Sequence, residues 1–189
     1  MNTRPTSDRL RETLFNVLAP RIQDSVSGGA AFLDLYAGSG AVGLEALSRG
    51  AARVAFVERA PAALKVLNEN LARLGVSNEV RVHARSVSAF LRSAAVPASK
   101  PGKNPTPEKY EVVFLDPPYD AAEEYAVTLG LLGGAAQELL SPGAVVIAEH
   151  RRKQLLDEQY GKLKRTRLLE QGDAAISFYA DSSEPAGEQ

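Results

Sequence analysis

Asp34-Leu35-Tyr36-Ala37-Gly38-Ser39-Gly40-Ala41-Val42-Gly43 is the stretch whose reading decides the fold. An apolar run, Ala30 to Leu33, leads into it, and a helical pattern, Ala41 to Arg49, leads out. The glycines therefore sit on a strand-to-helix turn. Gly38 and Gly40 tolerate dihedrals that a side chain forbids, and they let a ligand lie against the backbone. The N–H groups that open the next helix point into the same crevice. In a doubly wound sheet, this is where a nucleotide-like cofactor is held. Gly38, Gly40 and Gly43 spell G-x-G-x-x-G, which on its own also fits a dinucleotide-binding oxidoreductase.

Two further features point away from a dehydrogenase. Asp34 stands four residues before Gly38 at a strand end, where a carboxylate reaches an ammonium or an ordered water, or caps the turn by accepting local N–H bonds. Asp116-Pro117-Pro118-Tyr119 follows a second apolar strand, Val112 to Leu115. A D-x-x-x-G-x-G loop with a [DN]-P-P-[FYW] loop resembles the S-adenosylmethionine-dependent amino-methyltransferases. The segment Thr3 to Asn16 (TRPTSDRLRETLFN), with Gly43 to Gly50 (GLEALSRG), is similar to the RsmD family, and the likeness runs from about Thr3 to Phe178. Members of that family methylate N2 of a guanine in bacterial 16S ribosomal RNA. The resemblance implies an α/β, Rossmann-like class I methyltransferase fold. Its doubly wound, mostly parallel sheet has seven strands and ends in an antiparallel hairpin. It further implies S-adenosylmethionine as cofactor and 16S ribosomal RNA, within a small-subunit particle, as partner.

Composition sets the outer bounds. At 189 residues one domain is expected, over residues 1–180, with an RNA-facing arm and helix at 1–20 and a disordered tail at 181–189. No apolar run has membrane-spanning length and no hydrophobic signal segment opens the chain, so a cytoplasmic monomer is expected. The absence of cysteine removes disulfides, thiolate metal sites and thiol nucleophiles, including the usual route to cytosine C5 methylation. Net charge is −1, mild for an RNA-binding protein, and the last nine residues hold three acids and no base. Any phosphate contact must come from a local patch.

Outward from the glycine loop, strands alternate with helices, which argues for a parallel sheet covered on both faces. Thr6 or Ser7 caps a helix from Asp8 to Leu18, and Pro20 to Gly29 reads as a linker. Strands are expected at 31–35, 53–57, 79–82, 111–115 and 144–148. Pro61 opens a helix that Gly75 closes. Val87 to Ala94 is a short helix, Val96 to Lys109 a surface loop, and Ala121 to Leu140 helical with a break at Gly133-Gly134. Arg151 to Gln159 reads as helical, and Lys162 to Leu169 with Ala174 to Tyr179 as the closing pair.

Each candidate residue has a role and a plainer alternative. For the cofactor these are Asp34, Tyr36, Gly38, Gly40, Glu58, Arg59, Ser86, Val87 and Asp116. Glu58 ends the second strand, where an acid accepts from ribose hydroxyls; the alternative is an exposed charge. Ser86 stands where many methyltransferases place an acid or amide against adenine, with the Val87 N–H beside it, yet Ser86 also suits a helix cap. Asp116, Pro117, Pro118 and Tyr119 are the catalytic set. An exocyclic amine is a poor nucleophile because its lone pair enters the ring. A carboxylate and a carbonyl that accept its two N–H bonds favour the pyramidal form, and successive prolines aim a carbonyl without a competing donor. Tyr119 suits stacking on a base drawn out of its helix. Arg4, Thr6, Arg9 and Arg11 are candidates for RNA phosphates, or form a solvated helix face. Family members carry a basic, β-rich stretch before this motif, so weakened RNA affinity is one expectation. A second basic region, Arg151 to Lys153 with Lys162, Lys164, Arg165 and Arg167, reads as surface charge. His83 and His150 read as structural, and no metal site is expected. The rivals are an amino-methyltransferase of DNA adenine N6 or cytosine N4 and a non-catalytic RNA-binding assembly factor.

Overall fold

In the computed structural model the described residues are 5–23, 28–95, 108–118 and 121–183, with side chains from Arg9 onward. Residues 96–107 of the expected loop and the tail from 184 lie outside them. In chain order the elements are α1 (Pro5–Ile22), β1 (Ala31–Leu35), α2 (Ala41–Ser48), β2 (Arg53–Glu58), α3 (Pro61–Leu74), β3 (Val80–Ala84), α4 (Val87–Ala94) and β4 (Tyr110–Leu115). They continue with α5 (Glu123–Leu132), a 3₁₀ turn (Gln137–Leu139), β5 (Leu140–Arg151), β6 (Gln159–Tyr160), β7 (Leu163–Gln171) and β8 (Ala174–Asp181).

The strands form one sheet in the order β3-β2-β1-β4-β5-β8-β7-β6. β1 to β5 run parallel, and β8 enters antiparallel between β5 and β7. Period-two burial builds two cores. Leu33, Leu35, Ala55, Val57, Val113 and Leu115 face α4 and α5. Phe32, Val54, Phe56, Val112 and Phe114 face α1, α2 and α3. Apart from Asp34 and Glu111, the residues of β1 and β4 are apolar, as strands buried on both faces require. The doubly wound α/β plan with an antiparallel end is the one expected. The strand count is eight rather than seven, because the two-residue β6 adds a short rung to β7.

Two local expectations are corrected, and a third is met for a reason the sequence does not show. α1 runs on to Ile22 instead of stopping at Leu18. Leu10, Leu14, Phe15, Leu18 and Ile22 form one buried stripe, and Pro20 turns its ring to solvent in the last turn. Arg21 Nη1 then donates to Gly143 O at 2.5 Å. Residues 152–158, between β5 and β6, form turns and bends rather than a helix. Leu156 is buried beneath them, the Asp157 N–H donates to the Tyr160 hydroxyl, and the Tyr179 hydroxyl donates to Asp157 O. The break at Gly133 is present, with its cause in tertiary packing. A Cβ there would stand 1.8 Å from Tyr160 O, because β6 lies directly on the end of α5. Among the described residues no helix is long and apolar enough to cross a membrane.

Gly43 sets how closely α2 lies on β2: a Cβ there would meet Phe56 Cε1 at 2.4 Å and Val54 Cγ1 at 2.8 Å. Both neighbours are fully buried and have nowhere to go. Gly43→Ala is therefore expected to destabilise the fold by about 2 to 3 kcal/mol, read as a lower urea midpoint with an unchanged slope.

Candidate active site

The chain leaves β1 toward β2 on one side and returns as β4 on the other, so a crevice opens at the carboxyl ends of β1 and β4. Register fixes what meets there. Leu35 pairs with Val57 and with Leu115, which sets Tyr36 between Glu58 and Asp116. Leu115 pairs with Ala148, which sets Asp116 beside Glu149.

Asp34 is 2% exposed, and its Oδ2 accepts the Gly43 N–H at 2.9 Å. Burial pushes its carboxyl up to about 7, with the charge of Glu58 adding to the rise and the Gly43 N–H opposing it. Its observed role is the turn cap. Glu58 anchors the loop from the other side: Oε1 accepts from Arg59 N and Ala60 N, each at 2.7 Å, and Oε2 from Gly38 N at 2.8 Å. A carboxylate offers about four acceptor positions, so Glu58 is first a loop anchor with capacity left for another donor.

The three glycines serve different ends. Gly43 admits close helix packing. Gly40, at φ 81°, would drive a Cβ to 2.4 Å from Leu67 Cδ1. Gly38, at φ 56°, has only Tyr36 O near a notional Cβ, at 4.0 Å, so its open side faces the crevice. Tyr36 also has positive φ, 64°, which costs a side-chain-bearing residue roughly 1–2 kcal/mol. Its hydroxyl lies 2.8 Å from Glu124 Oε2 and 2.7 Å from Thr128 Oγ1 on α5. Arg59 is exposed at the mouth and acts electrostatically on Tyr36.

Asp116 is reachable by solvent, yet protein walls it closely. Burial is the main cause that lifts its carboxyl to about 7, and the charges of Glu149 and Asp34 add to it. Pro117 is buried and Pro118 exposed. The Pro118 carbonyl accepts the Ala121 N–H at 2.9 Å, closing the turn into α5. Among the described residues no backbone N–H donates to the Pro117 carbonyl. Tyr119 lies outside the described residues, as do Arg4 and the side chain of Thr6.

Ser86 is the N-cap of α4, its Oγ accepting from Ala89 N at 3.3 Å, while Val87 packs into the core. Arg9 is exposed on α1, and the positive charge of Arg11 acts on Glu149. Sequence reasoning missed Glu149, whose carboxyl is raised by burial, and missed Glu124 and Thr128. The available signal for Glu149 was an acid following an apolar strand that neighbours β4. His150 bonds Ser177 Oγ and Arg151 O, and His83 lies against the Phe90 ring, so both are structural. Among the described residues no group of three His, Cys, Asp or Glu is placed to hold a metal.

The family described as conserved hypothetical protein 95 matches residues 1–180. A provisionally named ribosomal RNA methyltransferase of Bacillus subtilis, YlbH, is 33% identical over 178 residues, covering 94% of this chain and 88% of that protein. Ribosomal RNA small subunit methyltransferase D of Escherichia coli is 44% identical over 116 residues, 61% of this chain and 50% of that protein. The match thus spans about half the length of that relative. Among solved structures, a provisionally named methyltransferase of Escherichia coli, yhhF, superposes with a TM-score of 0.75 at 32% identity, covering 96% of this chain and 90% of that one.

The raised carboxyls carry a stability consequence. A carboxyl whose folded value exceeds its unfolded one favours the fold at low pH, and that support is lost as pH rises through the folded value. For Asp116 the window runs from about 4 to about 7. Asp116→Asn is expected to melt higher than the parent at pH 8 and level with it at pH 4, as followed by scanning calorimetry.

Proposed function

The chain belongs to the conserved hypothetical protein 95 family, and from that premise we propose that it transfers a methyl group from S-adenosylmethionine to the exocyclic N2 amine of a guanine in small-subunit ribosomal RNA. The observation that carries the reading is the meeting, at one crevice, of Asp116, the open side of Gly38 and the Pro117 carbonyl, which accepts no backbone N–H among the described residues.

The donor set suits this cofactor. Asp34, Glu58, Asp116 and Glu149 converge on the crevice, and such a cluster favours a ligand bearing a sulfonium and an ammonium. Gly38 leaves room against the backbone, and Glu58 has acceptor capacity for a hydroxyl. The cofactor supplies a methyl group made electrophilic by the sulfonium. Against it, Asp116 and the Pro117 carbonyl accept the two N–H bonds of the amine and turn its lone pair toward the methyl carbon. With the cofactor bound, Asp116 would take the proton that the amine loses on methylation, directly or through water. A carboxyl held near neutrality by its surroundings suits that transfer. Positioning supplies most of the acceleration.

The ribosomal RNA assignment draws its support from the relatives' printed functions. Arg11 adds to it, since its charge acts on Glu149 at the crevice, and Arg9 is exposed on the same helix. The same helix leads back to Arg4 and Thr6, which extends the candidate phosphate contacts along one arm.

The test is methyl transfer from labelled S-adenosylmethionine to small ribosomal subunits lacking guanine N2 methyls, with naked RNA and duplex DNA in parallel and nucleosides identified by mass spectrometry. The expected product is N2-methylguanosine in ribosomal RNA, reduced about 100-fold or more by Asp116→Ala. Label confined to DNA, or activity indifferent to Asp116, would refute the assignment.

A further inference from the structure

Tyr36 is, among the described residues, the one non-glycine position with positive φ. Such a conformation persists only where the surroundings over-determine it. Here the hydroxyl donates to Glu124 Oε2 at 2.8 Å. A phenol has a single proton to give, so the Thr128 hydroxyl, 2.7 Å away and 1% exposed, is the donor in the second bond. Burial keeps the phenol protonated well above its ordinary range. Glu124 and Thr128 lie one turn apart on the same side of α5.

That helix is itself continuous with the Asp116 loop. Ala121 N donates to Pro118 O at 2.9 Å, and Glu124 N donates to Ala121 O at 3.0 Å. At its other end, Tyr36 lies two residues from Asp34 and two from Gly38, both held by carboxylate-to-backbone bonds. A single phenol therefore bridges the loop that faces the cofactor and the segment that presents Asp116.

We propose that Tyr36 is a positioning residue that locks these two segments together, so that occupation of the glycine loop sets the geometry of the Asp116 loop. The inference rests on the cofactor reading above. It makes Glu124 and Thr128 members of the same device, although neither lies in a motif.

The test compares wild type with Tyr36→Phe, and with Thr128→Val should the first variant fold poorly. Affinity for S-adenosylhomocysteine is measured by calorimetry, and amide hydrogen exchange is followed over residues 121–130 with and without that ligand. In wild type the ligand slows exchange at 121–130. In Tyr36→Phe the ligand still binds, the protection is lost, and kcat for methyl transfer falls about tenfold with KM for the cofactor unchanged. Protection that survives in Tyr36→Phe overturns the proposal, as does a loss of cofactor affinity that accounts for the whole effect. Wild type that fails to bind the ligand removes the cofactor reading and this proposal together. Wild type that binds and protects 121–130 yet methylates no RNA upholds the coupling and refutes the RNA assignment.

Discussion

The bond from Gly43 N to the buried carboxylate of Asp34 is the constraint on which the site depends. It joins the last turn of a strand to the first turn of a helix across nine residues. The loop between them cannot relax away from the sheet without stranding a carboxylate in the protein interior. Glu58 holds the same loop from the neighbouring strand through Gly38 N. The glycine loop is thus suspended between two acids. Its shape is set by backbone bonds to them, and the glycines are the residues that permit that shape.

Anchoring a loop with carboxylates concentrates negative charge where the strands end. Asp116 and Glu149 join the pair because the parallel register of β1, β4 and β5 leaves them no other place. Burial raises the cost of ionising Asp34 and Asp116, and the charge of Glu58 adds to it at Asp34, as those of Glu149 and Asp34 do at Asp116. The molecule accepts an unfavourable electrostatic arrangement there, the pattern expected of a site built for a cation rather than for rigidity.

Much of this was legible in the sequence, for identifiable reasons. Asp34, Glu58 and Asp116 each follow an apolar run, and a side chain just past such a run falls at a strand's carboxyl end. What was not legible required knowing which distant segments become neighbours. Glu149 looks like an ordinary charge until the strand order places it beside Asp116. Tyr36 lies 88 and 92 residues from the groups that hold it. Gly133 reads as a helix breaker, while its necessity comes from the backbone of Tyr160. At Pro20 the local rule for ending a helix lost to the burial of Ile22. At residues 152–158 a helical pattern lost to bonds with Tyr160 and Tyr179. The two residues of β6 are too few to leave a periodic trace. The roles of Gly40 and Ser86 show the converse: both were identified as site positions, and both have structural duties visible only once Leu67 and Ala89 are in place.

β8 is the last strand among the described residues, and it does not lie at the edge of the sheet. It sits between β5 and β7, and its inward residues Ile176 and Phe178 share a core with Leu10, Leu14 and Leu18 of the first helix. During synthesis, therefore, β5 presents an open hydrogen-bonding edge and α1 lacks part of its seat until residues 174–181 have emerged. The glycine loop and its acids are made early. The strand that completes their sheet is made after them, so the domain closes as a unit once β8 is in place rather than growing outward from its first strand.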